Sequence, residues 1–261
     1  MKRFLKSVVI GTPFESIARK LYYKCPFSTR RKEREDTTSS QDLNTRYDEQ
    51  TMAVMKQVLR HDSNCIDVGC HQGSILREML RFAPDGQHFA FEPIPGLCDE
   101  LRRNYPKVKV HELALSDSAG TSTFQHVVSN PSYSGLRKRH FDRPDELVQE
   151  TTVRTDRLDN IVPAAAPIHF IKIDVEGGEL QVLKGGKEII RRNRPIIVFE
   201  HGLGAADCYG TRPEDVYDLL RSCGLQISTM ERWLATQSPF SRDDFVTQFQ
   251  EIINFYFIAY A

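Results

Sequence analysis

The chain carries no net charge, with 35 Lys and Arg against 35 Asp and Glu, so no global field draws it to nucleic acid or to a strongly acidic partner. It has no apolar run near the ~20 residues that span a bilayer, and its opening Phe4-Leu5-Lys6-Ser7-Val8-Val9-Ile10 is too short and interrupted for a signal peptide. The six cysteines form no Cys-x-x-Cys pair and no Cys/His metal spacing; they read as reduced thiols of a cytoplasmic protein. The dinucleotide fingerprint G-x-G-x-x-G is missing as well, which argues against a nicotinamide oxidoreductase. No internal repeat is evident. What is there is 261 residues with 40% hydrophobic and 27% charged side chains, enough to bury a sizeable core in one large or two small domains.

The strongest local signal is Cys65-Ile66-Asp67-Val68-Gly69-Cys70-His71-Gln72-Gly73. A short apolar run ends in a glycine-bounded turn and passes into Ser74–Leu80, whose apolar spacing is helical: strand, tight loop, helix. Glycines there let a ligand approach the main chain, and free amides at a helix start favour polar or anionic groups. An acid two residues before the first glycine suits the amino group of an amino-acid-bearing cofactor, of which S-adenosylmethionine is the commonest. Glu92 ends the second apolar run, His88-Phe89-Ala90-Phe91-Glu92, about 25 residues after Asp67, where an acid takes ribose hydroxyls.

In chain order, Thr12-Pro13-Phe14-Glu15 opens an amphipathic basic helix through Lys24, a candidate dimer contact or peripheral membrane contact. Ser28–Asn44 is charge-rich and reads as a mobile linker, giving a division into residues 1–46 and a main domain at 47–261. A helix over Tyr47–Arg60 precedes the first strand. Strands and helices then alternate through a third strand, Val108–Leu115, which implies a parallel sheet with helices on both faces and ligands beyond its carboxyl ends. The rhythm breaks at about 118–158, where Thr121–Val127 and Thr151–Thr155 alternate like strands around the basic loop Asn130–His140. That β-rich insertion reads as a substrate-recognition flap, with Tyr133, Arg137, Lys138 and Arg139 as candidate acceptor contacts. Alternation returns with Ile168–Asp174, a helix from Leu180 to Ile190, Pro195–His201, a helix capped by Thr211, and closing strands Leu225–Ser228 and Ile252–Tyr260.

Ile66-Asp67-Val68-Gly69, Phe91-Glu92-Pro93, Ala114-Leu115-Ser116-Asp117, Leu158-Asp159 and Ile171-Lys172-Ile173-Asp174-Val175-Glu176-Gly177-Gly178-Glu179 occur in that order. With them the chain, from Tyr47 to Ala261, resembles the FkbM-like S-adenosylmethionine-dependent methyltransferases. The resemblance implies an α/β, Rossmann-like seven-stranded methyltransferase sheet, mostly parallel with the last strand antiparallel, and O-methylation of a hydroxyl on a sugar, polyketide or other small acceptor. By motif match, Asp67, Gly69, Cys70, His71 and Gly73 line the methionine part of S-adenosyl-L-methionine, Glu92 and Pro93 the ribose, and Ser116 and Asp117 the adenine side. Cys70-His71-Gln72 departs from the small residues plus Asn common in that family.

An alcohol is a poor nucleophile and needs a base or a cation. In the sheet order expected of such a fold, Asp174, Glu176, Glu200 and His201 converge beside the cofactor methyl. One reading makes His201 the general base, with Asp174 or Glu176 orienting it. A second has Mg²⁺ held by Asp174 and Glu200 with His201 nearby, and Glu200 also facing the acceptor. The competing class is a non-catalytic nucleotide-binding or scaffold protein of the same fold.

Overall fold

The computed structural model describes residues 40–139 and 145–261. The helix read at Thr12–Lys24, most of the Ser28–Asn44 segment and His140 lie outside the described residues. Residues Asn44–Ala261 form one compact unit. Its elements run α1 (Ser40–Val58), β1 (Cys65–Val68), α2 (Ser74–Phe82), β2 (Phe89–Glu92), α3 (Pro95–Asn104), β3 (Lys109–Glu112), β4 (Ala114–Leu115), β5 (Gly120–Val127) and β6 (Val148–Asp156). They continue as α4 (Leu158–Ile161), β7 (Phe170–Ile173), α5 (Glu179–Gly185), α6 (Lys187–Asn193), β8 (Ile196–Glu200), α7 (Pro213–Ser222), β9 (Gln226–Ser228), α8 (Met230–Leu234), α9 (Arg242–Gln250) and β10 (Tyr256–Tyr260).

Seven strands form one sheet in the order β3-β2-β1-β7-β8-β10-β9. The pairs β1–β2, β1–β7, β2–β3 and β7–β8 are parallel, and β10 runs antiparallel to both β8 and β9. Strands β1, β2 and β7 are buried at every position, as expected of central strands covered on both faces, so their runs are apolar instead of alternating. Phe89, Phe91, Phe170, Phe199 and Phe257 are among the largest buried side chains of the core. The insertion forms a separate three-stranded sheet, β4-β6-β5, whose long hairpin pairs Gly120–Val127 with Val148–Thr155.

Several boundaries differ from the sequence reading, each for a tertiary reason. The run Val108–Leu115 is two strands. Lys109–Glu112 pairs with β2, a turn bond joins Leu113 N–H to the His111 carbonyl at 3.1 Å, and Ala114–Leu115 then pairs with β6. The helix expected from Leu180 to Ile190 breaks between Gly185 and Gly186. A Cβ at Gly185 would lie 2.0 Å from the Ser116 carbonyl oxygen, so glycine permits helix and insertion to touch at the expense of helix continuity. Arg212, not Thr211, precedes α7, and the Thr211 hydroxyl makes no capping bond. Helix α1 begins at Ser40, inside the stretch read as linker. Ile252 and Ile253 precede β10 and are 61% and 54% exposed. The intervening α9 is set by Ser241 and Asp244 in a reciprocal capping box.

Candidate active site

A cavity of about 540 Å³ opens at the carboxyl ends of β1, β2 and β7. On its first wall, β1 places Asp67 at 2% exposure and turns at Gly69, whose φ is 75°. Gly69 N–H and Cys70 N–H both donate to the Phe91 carbonyl, at 2.9 and 3.3 Å, and Asp174 N–H donates to the Val68 carbonyl at 3.0 Å. A Cβ on Gly69 would meet the Asp174 carbonyl oxygen at 1.8 Å, so only glycine lets the two loops close. The Glu92 carboxylate is clamped by two backbone N–H groups, His71 on one oxygen and Ile94 on the other, each at 3.0 Å. His71 reaches this position in the left-handed region, with φ 47°. Burial pushes the Asp67 and Glu92 carboxyls up to about 7, against the pull of Lys172 on Asp67 and of the donated N–H bonds on Glu92. Asp67 Oδ2 is buried with no hydrogen-bond partner among the described residues.

On the facing wall, the loop after β7 is folded by Glu179, whose carboxylate accepts from Val175 N–H and Gly177 N–H at 3.1 Å each. That loop puts Glu176 at φ 58° and aims Asp174 into a network. Asp174 accepts from Lys172 Nζ at 3.0 Å and from the Tyr256 hydroxyl at 2.5 Å. Burial acts to raise the Asp174 pKa, but the Lys172 charge and the bonds from Tyr256, Glu200 and Lys172 outweigh it and hold the carboxyl below its ordinary value. Glu200 moves the other way: burial and the nearby Asp174 and Glu179 charges push it well above the carboxylate range. Asp174 is therefore the ionised member, and Glu200 the protonated donor to it.

Residues 67–227, more than half of the chain, match the methyltransferase FkbM domain. The protein belongs to that family. It is similar to the 2-O-methyltransferase NoeI of Sinorhizobium fredii, 28% identical over 168 residues covering 55% of this chain and 67% of that protein. It is also similar to methyltransferase sdnD of Sordaria araneosa, 32% identical over 47% of this chain and 60% of that protein. A third relative is the hexuronic acid methyltransferase AglP of Haloferax volcanii, 30% identical over 52% of this chain and 54% of that protein. The matched stretch thus spans between about half and two thirds of each relative's length. A crystal structure of a methyltransferase FkbM from Methylobacillus flagellatus aligns with TM-score 0.49 and 16% identity over 82% of this chain and 49% of that one.

For an FkbM domain the cavity walls suit S-adenosylmethionine. Asp67, with its buried unpartnered Oδ2, and the clamped Glu92 line the cavity, as do Cys70, His71, Pro93, Ser116 and Asp117. Gly73 does not line it. With φ 79° it hands the chain into α2, where a Cβ would strike Leu101 and Tyr105 at 2.8 and 2.9 Å, so its role is structural.

His201 must be withdrawn as the base. It is fully buried, stacked between Phe245 and Phe249 at ring distances of 5.9 and 4.7 Å, and neither ring nitrogen has a hydrogen-bond partner among the described residues. Burial drives its pKa down to about 3, and it does not line the cavity. Successive strand residues point to opposite faces, so Glu200 and His201 diverge. The structure gives the Mg²⁺ reading no support. Asp174, Glu176 and Glu200 offer oxygens within 4.8 Å of one another, but Asp174 is paired with Lys172 and Glu176 with Arg139, so two built-in cations already balance these two negative charges.

The basic cluster of the insertion divides. Arg137 lines the cavity, Lys138 is exposed and off it, and Arg139 turns inward to Glu176 with its guanidinium 4.6 Å over the Tyr133 ring. Tyr133 itself does not line the cavity. Sequence reasoning missed Asp48 and Tyr209, which line it, and Tyr256, which bonds Asp174. It also gave Lys172 no more than an ion-pair role, although a lysine in a four-residue buried strand is itself a sign that acids surround it.

Proposed function

We propose that this FkbM-family methyltransferase is S-adenosylmethionine-dependent and methylates a hydroxyl of a sugar, a glycan or another small acceptor. The observation that carries the reading is the opposition of two walls: Asp67 with its unpartnered Oδ2 and clamped Glu92 on one side, and an ionised Asp174 on the other. NoeI and AglP, by name a 2-O-methyltransferase and a hexuronic acid methyltransferase, support oxygen and sugar as acceptor chemistry.

S-adenosylmethionine, when bound, supplies a methyl group already activated on sulfur. The protein's own work is alignment and proton handling, of which alignment supplies ~7–11 kcal/mol. Asp67 would hold the cofactor's ammonium and Glu92 its ribose hydroxyls, on the wall opposite Asp174. Asp174 accepts the acceptor proton, and the contribution of such a base is ~10²–10⁴-fold. Lys172 and Tyr256 hold its carboxylate in one orientation, so the free lone pair faces the cavity. Glu200 donates to Asp174 and keeps a second negative charge out of the site.

Calorimetry with S-adenosylmethionine and S-adenosylhomocysteine, followed by labelled-methyl transfer to a panel of mono- and oligosaccharides, tests the reading. Binding of both compounds with transfer to a hydroxyl supports it. Failure of either to bind sinks it, and tight binding without transfer to any acceptor favours the scaffold alternative.

A further inference from the structure

The family match covers residues 67–227, yet the wall facing the cofactor side is completed from outside that span. Helix α1 is anchored by Tyr47, whose ring lies 4.9 Å from both Phe255 and Tyr256 and whose hydroxyl donates to Asn254 at 3.3 Å. Thr51, Val54 and Met55 are buried beneath it, and the Thr51 hydroxyl donates to Met230 Sδ at 3.4 Å. This docking brings the next residue, Asp48, to the cavity, where its charge faces Lys172 and Asp174. Asp48 is exposed, and among the described residues its carboxylate makes no hydrogen bond or ion pair.

From this placement we propose that Asp48 is a specificity-determining residue that grips a second hydroxyl of the acceptor, next to the one methylated, so that the acceptor is a vicinal diol such as a sugar ring. The proposal rests on the methyltransferase reading above and deepens it. Asp174 has its outer positions taken by Lys172, Tyr256 and Glu200 and has room for one acceptor hydroxyl. The Asp48 carboxylate, by contrast, has both oxygens free and can accept from a neighbouring hydroxyl or from two. An acid at the mouth with no internal donor gains only when a ligand brings one, since a donor held away from water replaces the water it loses. Asp48 therefore discriminates by partner count: a diol satisfies it, and a lone alcohol leaves it stranded.

The test uses the full chain with S-adenosylhomocysteine bound and titrates, by calorimetry or saturation-transfer NMR, methyl glucoside and trans-1,2-cyclohexanediol as diols and cyclohexanol as the lone alcohol. The expected result is that diols bind more tightly than cyclohexanol and that Asp48→Asn weakens diol binding about 10-fold. The variant leaves cyclohexanol and S-adenosylhomocysteine affinity within about 3-fold, and its melting temperature matches the parent because the side chain is exposed. The proposal is overturned if Asp48→Asn weakens S-adenosylhomocysteine as much as the diols, which would make it a cofactor residue, if it changes diol binding no more than cyclohexanol binding, or if no diol binds the loaded wild type. Failure of S-adenosylhomocysteine to bind wild-type protein strikes the methyltransferase reading instead, so the two failures are distinguishable.

Discussion

The two walls of the cavity are built in different ways. The wall of Asp67, Gly69, His71, Glu92, Ser116 and Asp117 comes from the ends of β1, β2 and β4, within residues 67–117, and its centre is fixed by backbone: amides of Gly69 and Cys70 on the Phe91 carbonyl, and amides of His71 and Ile94 on the Glu92 carboxylate. The opposite wall carries Asp48 of α1, Lys172 of β7 and Asp174 just after it, and is held by side chains, with Glu200 of β8 and Tyr256 of β10 bonded to Asp174 from behind without lining the cavity. A backbone clamp needs only the right local motif, whereas a side-chain network needs the whole sheet in register. On the proposed reading the first wall would take the cofactor and the second the acceptor.

The comparison can be broken most sharply on the side-chain wall. Asp174→Asn keeps the shape and removes the charge, so turnover should fall about 10²–10⁴-fold while S-adenosylhomocysteine affinity by calorimetry changes little. A fall in affinity as large as the fall in rate would mean that the two walls do not divide cofactor from acceptor. On the backbone wall, Gly69→Ala combines a left-handed φ with a 1.8 Å approach to the Asp174 carbonyl and should cost about 2–5 kcal/mol in denaturant unfolding. An unfolding midpoint equal to wild type would show that the two loops separate at little cost.

Acid sensitivity separates the walls more gently. Asp67 and Glu92 have carboxyls raised to about 7, and on the proposed reading a cofactor's ammonium and hydroxyls would bind their ionised forms. Protonation of either acid competes with binding below that value, so affinity for S-adenosylhomocysteine should rise about 10-fold per acid, about 100-fold for the two together, between pH 6 and pH 8. Flat affinity over that window, measured by titration in buffers of matched ionic strength, would remove the two acids from cofactor binding.

The smallest effect is expected at His201. His201→Phe fills the same space between Phe245 and Phe249 and removes two unpartnered nitrogens, so turnover should stay within about 2-fold and stability rise by about 1 kcal/mol. The pH dependence supplies an independent check. With the folded-state pKa near 3 and the unfolded one near ~6.5, the unfolded chain binds more protons in between, and this group's contribution to stability falls as pH drops from 6.5 towards 3. His201→Phe should flatten that part of the curve, and a lost turnover instead would restore histidine as the base.

Legibility followed the same division. The seven-stranded sheet with its antiparallel β10 and the β-rich insertion were readable from the alternation of motifs and the family resemblance. Asp67 and Glu92, which line the cavity, were readable because each lies at a strand end near a glycine turn or an apolar run, whereas Ser116 and Asp117 came only from the family resemblance. His201 misled for the same reason that made it attractive. It follows a strand-end acid, but period two sends it to the other face, where Phe245 and Phe249 of α9 enclose it. Arg139 looked like an acceptor contact and is spent on Glu176, a pairing between an insertion and a loop far apart in sequence.

By itself, then, the sequence determined the order of elements, the turn at Gly69 and the acids of the first wall, because hydrophobic period and glycine conformation are local properties. Only the tertiary structure decided which titratable groups share one environment. It put Glu200, Lys172 and Tyr256 within hydrogen-bonding reach of Asp174, sealed His201 away and brought Asp48 to the mouth. Burial and charge proximity are set by neighbours distant in the chain, and they determine which carboxyl is ionised and which histidine is neutral.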